Sequence, residues 1–85
     1  MKVLIPTSLR SYTKAGEVEA TGATLAELLA DLDRQYPGLR FRMVDEQDRV
    51  RPHIRVFVNG EQAADLTRAL HPADALYIVQ ALSGG

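Results

Sequence analysis

TLAELLADLDRQYPG, residues 24–38, is the strongest helix signal in this sequence of 85 residues. Thr24 suits the N-cap position, and Glu27, three residues later, completes a capping box. Four leucines and a tyrosine then recur with helical spacing and form one apolar stripe, at positions 25, 28, 29, 32 and 36. Pro37-Gly38 ends the pattern. The stretch therefore predicts an amphipathic helix from about Thr24 to Tyr36 that buries one face.

The segments around this helix have the alternating pattern of β-strands. The predicted strands are Lys2 to Pro6, Glu17 to Thr21, His53 to Val58, Glu61 to Ala64 and Ala75 to Gln80. Asn59-Gly60 is a strong signal for a hairpin turn. One helix covers only one face of such a sheet, and we expect the first and last strands to pair in parallel at its centre. The prediction is an α+β roll of the β-grasp type over residues 1–80, a mixed sheet with one main helix.

Three connections have weaker patterns. Thr7 to Gly16 is polar and is interpreted as a turn region. Leu39 to Pro52 is interpreted as an irregular connection with a short turn at Phe41–Met43. Asp65 to Leu70 has the pattern of a single helical turn capped by Asp65.

Composition excludes several classes of function. The formal net charge is −1, from 10 basic and 11 acidic side chains, which argues against a nucleic-acid partner. The absence of cysteine excludes disulfides, thiolate catalysis and cysteine-ligated metals. No other set of residues has metal-ligand spacing, and no apolar run is long enough for a membrane span. We therefore expect a cytoplasmic protein without a bound metal or cofactor.

The last five residues, Ala81-Leu82-Ser83-Gly84-Gly85, have no packing periodicity. We expect residues 81–85 to be a flexible tail, in which Ala81, Leu82, Ser83 and Gly84 thread into a partner. Gly84 and Gly85 have no side chains, so they fit a narrow channel. The carboxylate of Gly85 is ionised at neutral pH. A frayed terminus or a cloning remnant is the alternative interpretation.

Three motifs give the chain a family resemblance: Pro6-Thr7-Ser8-Leu9-Arg10 after the first strand, the Val58-Asn59-Gly60 turn and the terminal Gly84-Gly85. With these motifs the chain resembles the ThiS/MoaD family of ubiquitin-like sulfur carriers. The resemblance implies that a ubiquitin-activating-type enzyme adenylates the Gly85 carboxylate with ATP. The carboxylate then becomes a thiocarboxylate that donates sulfur to an accepting synthase. In this interpretation the chain is a protein substrate and not an enzyme.

Two other functions remain open at this point. A ubiquitin-like modifier would be joined to target lysines through Gly85, and a plain β-grasp interaction module would have an inert tail. The Ile5-Pro6-Thr7 start and the Leu39–Pro52 connection look more like carriers that work with a cysteine synthase. The sequence alone does not identify the pathway.

A second candidate site is the sheet face that points away from the helix. Strand alternation places Leu4, Phe57, Tyr77 and Val79 there, together with Arg55. Exposed apolar patches of this kind mark partner-docking surfaces. The alternative is that the Leu39–Pro52 connection folds over part of this patch.

Overall fold

A mixed sheet of five strands, with helices packed on one of its faces, forms the body of the protein. The structure is a computed structural model and describes residues 1–81. The strands are β1 (Lys2–Leu4), β2 (Glu17–Glu19), β3 (Ile54–Val58), β4 (Glu61–Gln62) and β5 (Ala75–Gln80). The helices are α1 (Arg10–Thr13), α2 (Leu25–Gln35) and α3 (Leu39–Met43). Within residues 1–81, no helix has the length and apolar character needed to cross a membrane.

The strand order is β2-β1-β5-β3-β4, so β5 lies at the centre of the sheet. Strands β1 and β5 are parallel, whereas the other pairs are antiparallel. Asn59 and Gly60 both have positive φ angles, 52° and 87°, as a tight primed hairpin turn between β3 and β4 requires. The predicted β-grasp, with its parallel central pair, is confirmed.

Helix α2 begins where the capping signal places it. The hydroxyl of Thr24 accepts a hydrogen bond from the amide of Glu27 at 3.3 Å. The carboxylate of Glu27 accepts from the amide of Ala23, also at 3.3 Å, one residue before the cap. The first-turn amide of Leu25 donates to the carbonyl of Arg68 at 2.9 Å. The start of the helix is therefore bonded both to itself and to the loop before β5.

The apolar stripe of α2 forms the centre of the core. Leu25, Leu28, Leu29 and Leu32 are fully buried. They belong to one cluster with the inward-facing side chains of the three central strands, namely Val3, Ile5, Ile54, Val56, Val58, Leu76 and Ile78. The predicted pairing of helix face and sheet face is therefore confirmed.

The polar segment between β1 and β2 is helical, which corrects its interpretation as a turn region. A 3₁₀ turn at Thr7–Leu9 leads directly into α1. Leu9 and Thr13, four residues apart, are both buried, and their burial fixes the segment as a helix. Lys14 ends it with a left-handed φ of 61°.

The other two connections also differ from their predictions. Leu39–Pro52 contains α3 and then a tight turn bridged by Val44 and Val50, rather than a mostly irregular path. The segment after β4 forms one hydrogen-bonded turn, in which the amide of Arg68 donates to the carbonyl of Asp65 at 3.1 Å, and not a helix. The carboxylate of Asp65 accepts the amide of Thr67 at 2.9 Å, which makes an Asx-type turn instead.

Candidate functional site

The tail leaves the body from the central strand. The amide of Ala81 donates to the carbonyl of His53 at 2.7 Å, so the ladder between β3 and β5 continues one residue past Gln80. From the β1 side, the hydroxyl of Ser8 donates to the side chain of Gln80. Ala81 is exposed, and its amide is bonded to the body. We call Gln80 and Ala81, with these contacts, the tail root.

The other four predicted tail residues lie outside the described residues. They are Leu82, Ser83, Gly84 and Gly85. Their roles therefore remain predictions.

The structure places the five predicted docking residues on one face of the sheet. Tyr77 of β5 lies between Leu4 of β1 and Phe57 of β3, and Val79 lies opposite Arg55. Tyr77 is 49% exposed and Val79 is 43% exposed. The other three side chains are half-buried. These residues form the open sheet face, which reaches the tail root at Val79.

The Leu39–Pro52 connection leaves this face open. Its helix α3 packs beside α2, and Leu39, Met43 and Val44 are buried in the core. Because these three side chains pack in the core and not on the open sheet face, Tyr77 and Val79 remain exposed to water.

Two arginine side chains are held by hydrogen bonds to backbone carbonyls, one on each side of β5. On the β3 side, the guanidinium of Arg55 donates to the carbonyls of Pro52 and Ile54. On the β1 side, Nε of Arg10 donates to the carbonyl of Ile5 at 3.0 Å. The guanidinium of Arg10 lies so close to Gly16 that a Cβ there would be 2.9 Å from it. Arg55 is therefore the positive charge beside the tail root, whereas Arg10 is held against Ile5 and Gly16.

Side-chain hydrogen bonds hold the opposite end of β5, which the sequence pattern did not reveal. The amide group of Asn59 donates to Asp74 at 2.8 Å, and its carbonyl accepts the amide of Ala75 at 3.0 Å. The amide of His71, followed by the Asn59 side chain, lowers the pKa of the Asp74 carboxyl. Asn59 was interpreted only as a turn residue because its partner lies 15 residues away.

A second surface beside the tail root was also missed. Phe41 and Arg51 lie there with His53 in one shallow concave region. The sequence predicted only a short turn around Phe41. The signal in the sequence was Phe41, which stands between Arg40 and Arg42 in a connection rich in charged residues.

The shifted pKa values within residues 1–81 belong to aspartates, and all of them are lowered. In each case the largest cause is a hydrogen bond that the carboxylate accepts, from Thr21, Arg49, Thr67 or His71. A general acid needs the opposite shift. These carboxylates stabilise turns and loops.

The model of the ThiS family matches residues 3–85, nearly the whole chain. The chain belongs to the ThiS family of ubiquitin-like sulfur carriers. Sulfur carrier protein CysO of Mycobacterium tuberculosis H37Rv is 33% identical over 89 aligned residues, which cover 98% of this chain and 96% of CysO. A carrier of this type is a small protein on which enzymes act, and is not itself an enzyme.

Solved structures of relatives have the same fold. A chain in the crystal structure of the Amycolatopsis orientalis BexX/CysO complex matches with a TM-score of 0.90 and 35% identity, over 99% of this chain and 98% of that chain. Small archaeal modifier protein 3 of Haloferax volcanii is a further relative, 32% identical over 74% of this chain and 71% of its own length. The ThiS family chain described here is therefore similar both to sulfur carriers and to a protein modifier.

Proposed function

We propose that this ThiS family protein carries sulfur as a thiocarboxylate on Gly85. The proposal rests on the match to the ThiS family, which extends through Gly84-Gly85. The similarity to CysO along almost the full chain supports it. The chain would take part in biosynthesis as a co-substrate of two partner enzymes, one that activates it and one that accepts its sulfur.

Activation of the carboxylate proceeds in two chemical steps. First, a carboxylate oxygen of Gly85 attacks the α-phosphorus of ATP, the bond to the β-phosphate oxygen breaks, and pyrophosphate leaves. Second, hydrosulfide (HS⁻) delivered by a partner attacks the carbonyl carbon of the adenylate, AMP leaves, and loss of the S–H proton gives the thiocarboxylate. ATP belongs to the activating enzyme, which is of the ubiquitin-activating type, and the carrier itself holds no cofactor. The need for ATP suits the cytoplasm, the location that we propose.

The short tail restricts how a partner approaches. The four residues after Ala81 extend at most about 14 Å. A partner whose reactive centre receives Gly85 therefore has to contact the body around the tail root. We propose that the activating enzyme docks on the open sheet face, with Tyr77 and Val79 as apolar contacts and Arg55 as a charged one. An apolar centre with a charged edge is typical of such interfaces.

Deletion of Gly85 tests the proposed reacting group. It moves the carboxylate back by up to about 3.5 Å, and a displacement of 1 Å costs about a hundredfold when reactive atoms must be aligned. We expect the deletion variant to lose ATP–pyrophosphate exchange with the activating enzyme. Addition of one residue after Gly85 has the same expected result.

Thermal melting supplies the control, because neither change removes a contact of residues 1–81. Both variants should unfold at the wild-type temperature. Exchange at the wild-type rate in either untrimmed variant would show that the Gly85 carboxylate is not the reacting group.

Protein modification is the second candidate function, and the similarity to small archaeal modifier protein 3 favours it. Both functions begin with the same activated Gly85, so the products distinguish them. Mass spectrometry of the protein from its native cells would detect the replacement of one oxygen by sulfur in a carrier. In a modifier it would detect isopeptide bonds between Gly85 and lysines of other proteins. Neither product is expected from a plain interaction module.

A further inference from the structure

An exposed aromatic ring lies near the tail root, on the helix side of the sheet. Phe41 of α3 is 58% exposed and is not part of the apolar core. The guanidinium of Arg51 stacks 4.7 Å from the ring centroid, and its Nε donates to the carbonyl of Phe41 at 2.8 Å. The ring is therefore held in place while more than half of the residue remains in contact with water.

Two backbone hydrogen bonds connect this ring to the tail root. The carbonyl of Arg51 accepts the amide of Ile54 at 2.9 Å, and the carbonyl of His53 accepts the amide of Ala81 at 2.7 Å. Phe41 is thus on the helix side of the tail root, whereas Val79 is on the open sheet face. The large hydrophobic side chains exposed among residues 1–81 are Phe41, Tyr77 and Val79. They flank the place where the tail begins.

The guanidinium groups beside Phe41 can bind carboxylates of a partner. Within residues 1–81, neither Arg42 nor Arg51 forms an ion pair. The Asp45 carboxylate accepts the amides of Gln47 and Arg49, at 2.8 and 3.0 Å, which fix it in its own turn, and it keeps its negative charge there. Glu46 is the exposed carboxylate of this surface and reduces its positive charge. Two guanidinium groups remain available to carboxylates of another protein.

We propose that Phe41, Arg42, Arg51 and His53, here called the Phe41 surface, form a second docking site for the activating enzyme. The matching enzyme surface is an apolar recess for the Phe41 ring, bordered by Asp or Glu side chains. The inference rests on the proposed function. Because the tail after Ala81 extends at most about 14 Å, an enzyme that receives Gly85 has to approach the tail root closely, and Phe41 lies beside that root.

Phe41→Ala and Arg42→Glu test the Phe41 surface in ATP–pyrophosphate exchange with the purified activating enzyme from the same cells. A docking contact that is the same in the ground and transition states changes KM and leaves kcat unchanged. We expect Phe41→Ala to raise the KM for the carrier about tenfold, as an aromatic contact within an interface does. Arg42→Glu should raise KM at low salt, and added salt should reduce the difference.

Lys2→Glu is the matched charge-reversal control, since exposed Lys2 pairs with Ala75 at the opposite end of β5. It should leave KM unchanged. Arg42 forms no hydrogen bond through its side chain within residues 1–81, so Arg42→Glu tests the surface even if Phe41→Ala alters folding. Wild-type KM in both folded variants, with normal activation of the wild-type chain, would overturn the Phe41 surface alone. A wild-type chain that is never activated would overturn the proposed function itself.

Discussion

Asp31 is the buried carboxylate of the structure and the residue at which the sequence pattern was most misleading. It lies off the leucine stripe of α2, which indicated an exposed position, yet only 9% of it is exposed. Its carboxylate accepts the amide of Thr21 at 3.0 Å and the side-chain amide of Gln35 at 3.0 Å. Helical periodicity does not reveal this role, because the loop that covers Asp31 comes from an earlier part of the chain.

Asp31 should make stability depend on pH in the acidic range. The Thr21 amide foremost, then Gln35 and Arg34, lower the pKa of Asp31, although burial opposes them. Because the pKa of Asp31 is lower in the folded state, its carboxylate stabilises the fold fully at pH values above the unfolded pKa of about 3.9. This stabilisation is lost as the pH falls through the lowered pKa of the folded state. We expect Asp31→Asn to melt below wild type at neutral pH and the gap to close under strongly acidic conditions.

Glu17→Gln is the control for this pH experiment, because Glu17 is exposed and its side chain accepts no hydrogen bond within residues 1–81. Its melting profile should follow that of wild type. If the difference in melting temperature between Asp31→Asn and wild type is the same at every pH, the loss of stability comes from packing and not from the charge.

At the scale of elements, α2 contributes most of the core that faces the sheet. Leu28 lies in the middle of its stripe and is fully buried. We expect Leu28→Ala to lower the free energy of unfolding by about 2–5 kcal/mol, because it leaves a cavity in a close-packed core. Chemical denaturation measures this loss. Val79→Ala is the matched control on the exposed side of β5 and should cost clearly less; equal losses would contradict the assignment of the core.

The sequence predicted long, periodic elements better than short ones. The leucine stripe located α2, and the alternation of Ile54, Val56 and Val58 located β3. Helices α1 and α3 contain four and five residues, too few to show a helical period. They form because Leu9 and Met43 reach the core, a tertiary contact that no local pattern encodes.

At the scale of the whole molecule, the open sheet face was predicted and the Phe41 surface was not. Strand alternation alone assigns Tyr77 and Val79 to one face of β5. The neighbourhood of Phe41 and Ala81 depends on how the 39–52 connection packs beside α2, which follows from the assembled fold. The residues after Ala81, the centre of the proposed chemistry, lie outside what the structure describes.

Phe57→Ala tests the open sheet face. Phe57 is half-buried beside Tyr77, on the side of the sheet opposite α2. We expect the variant to bind the activating enzyme more weakly in a titration, since an apolar contact is lost. Its melting temperature should fall much less than that of Leu28→Ala. A large fall would place Phe57 among the residues that hold the fold together and remove it from the docking site.

The central position of β5 has a mechanical consequence. Its backbone is bonded along both edges, to β1 in parallel and to β3 in antiparallel orientation. An enzyme that grips the tail and pulls therefore loads β5 along its own axis. The hydrogen bonds on both edges then resist in shear as a group, instead of separating one after another from an open end. Force applied at the tail would thus be shared among the hydrogen bonds on both edges of β5.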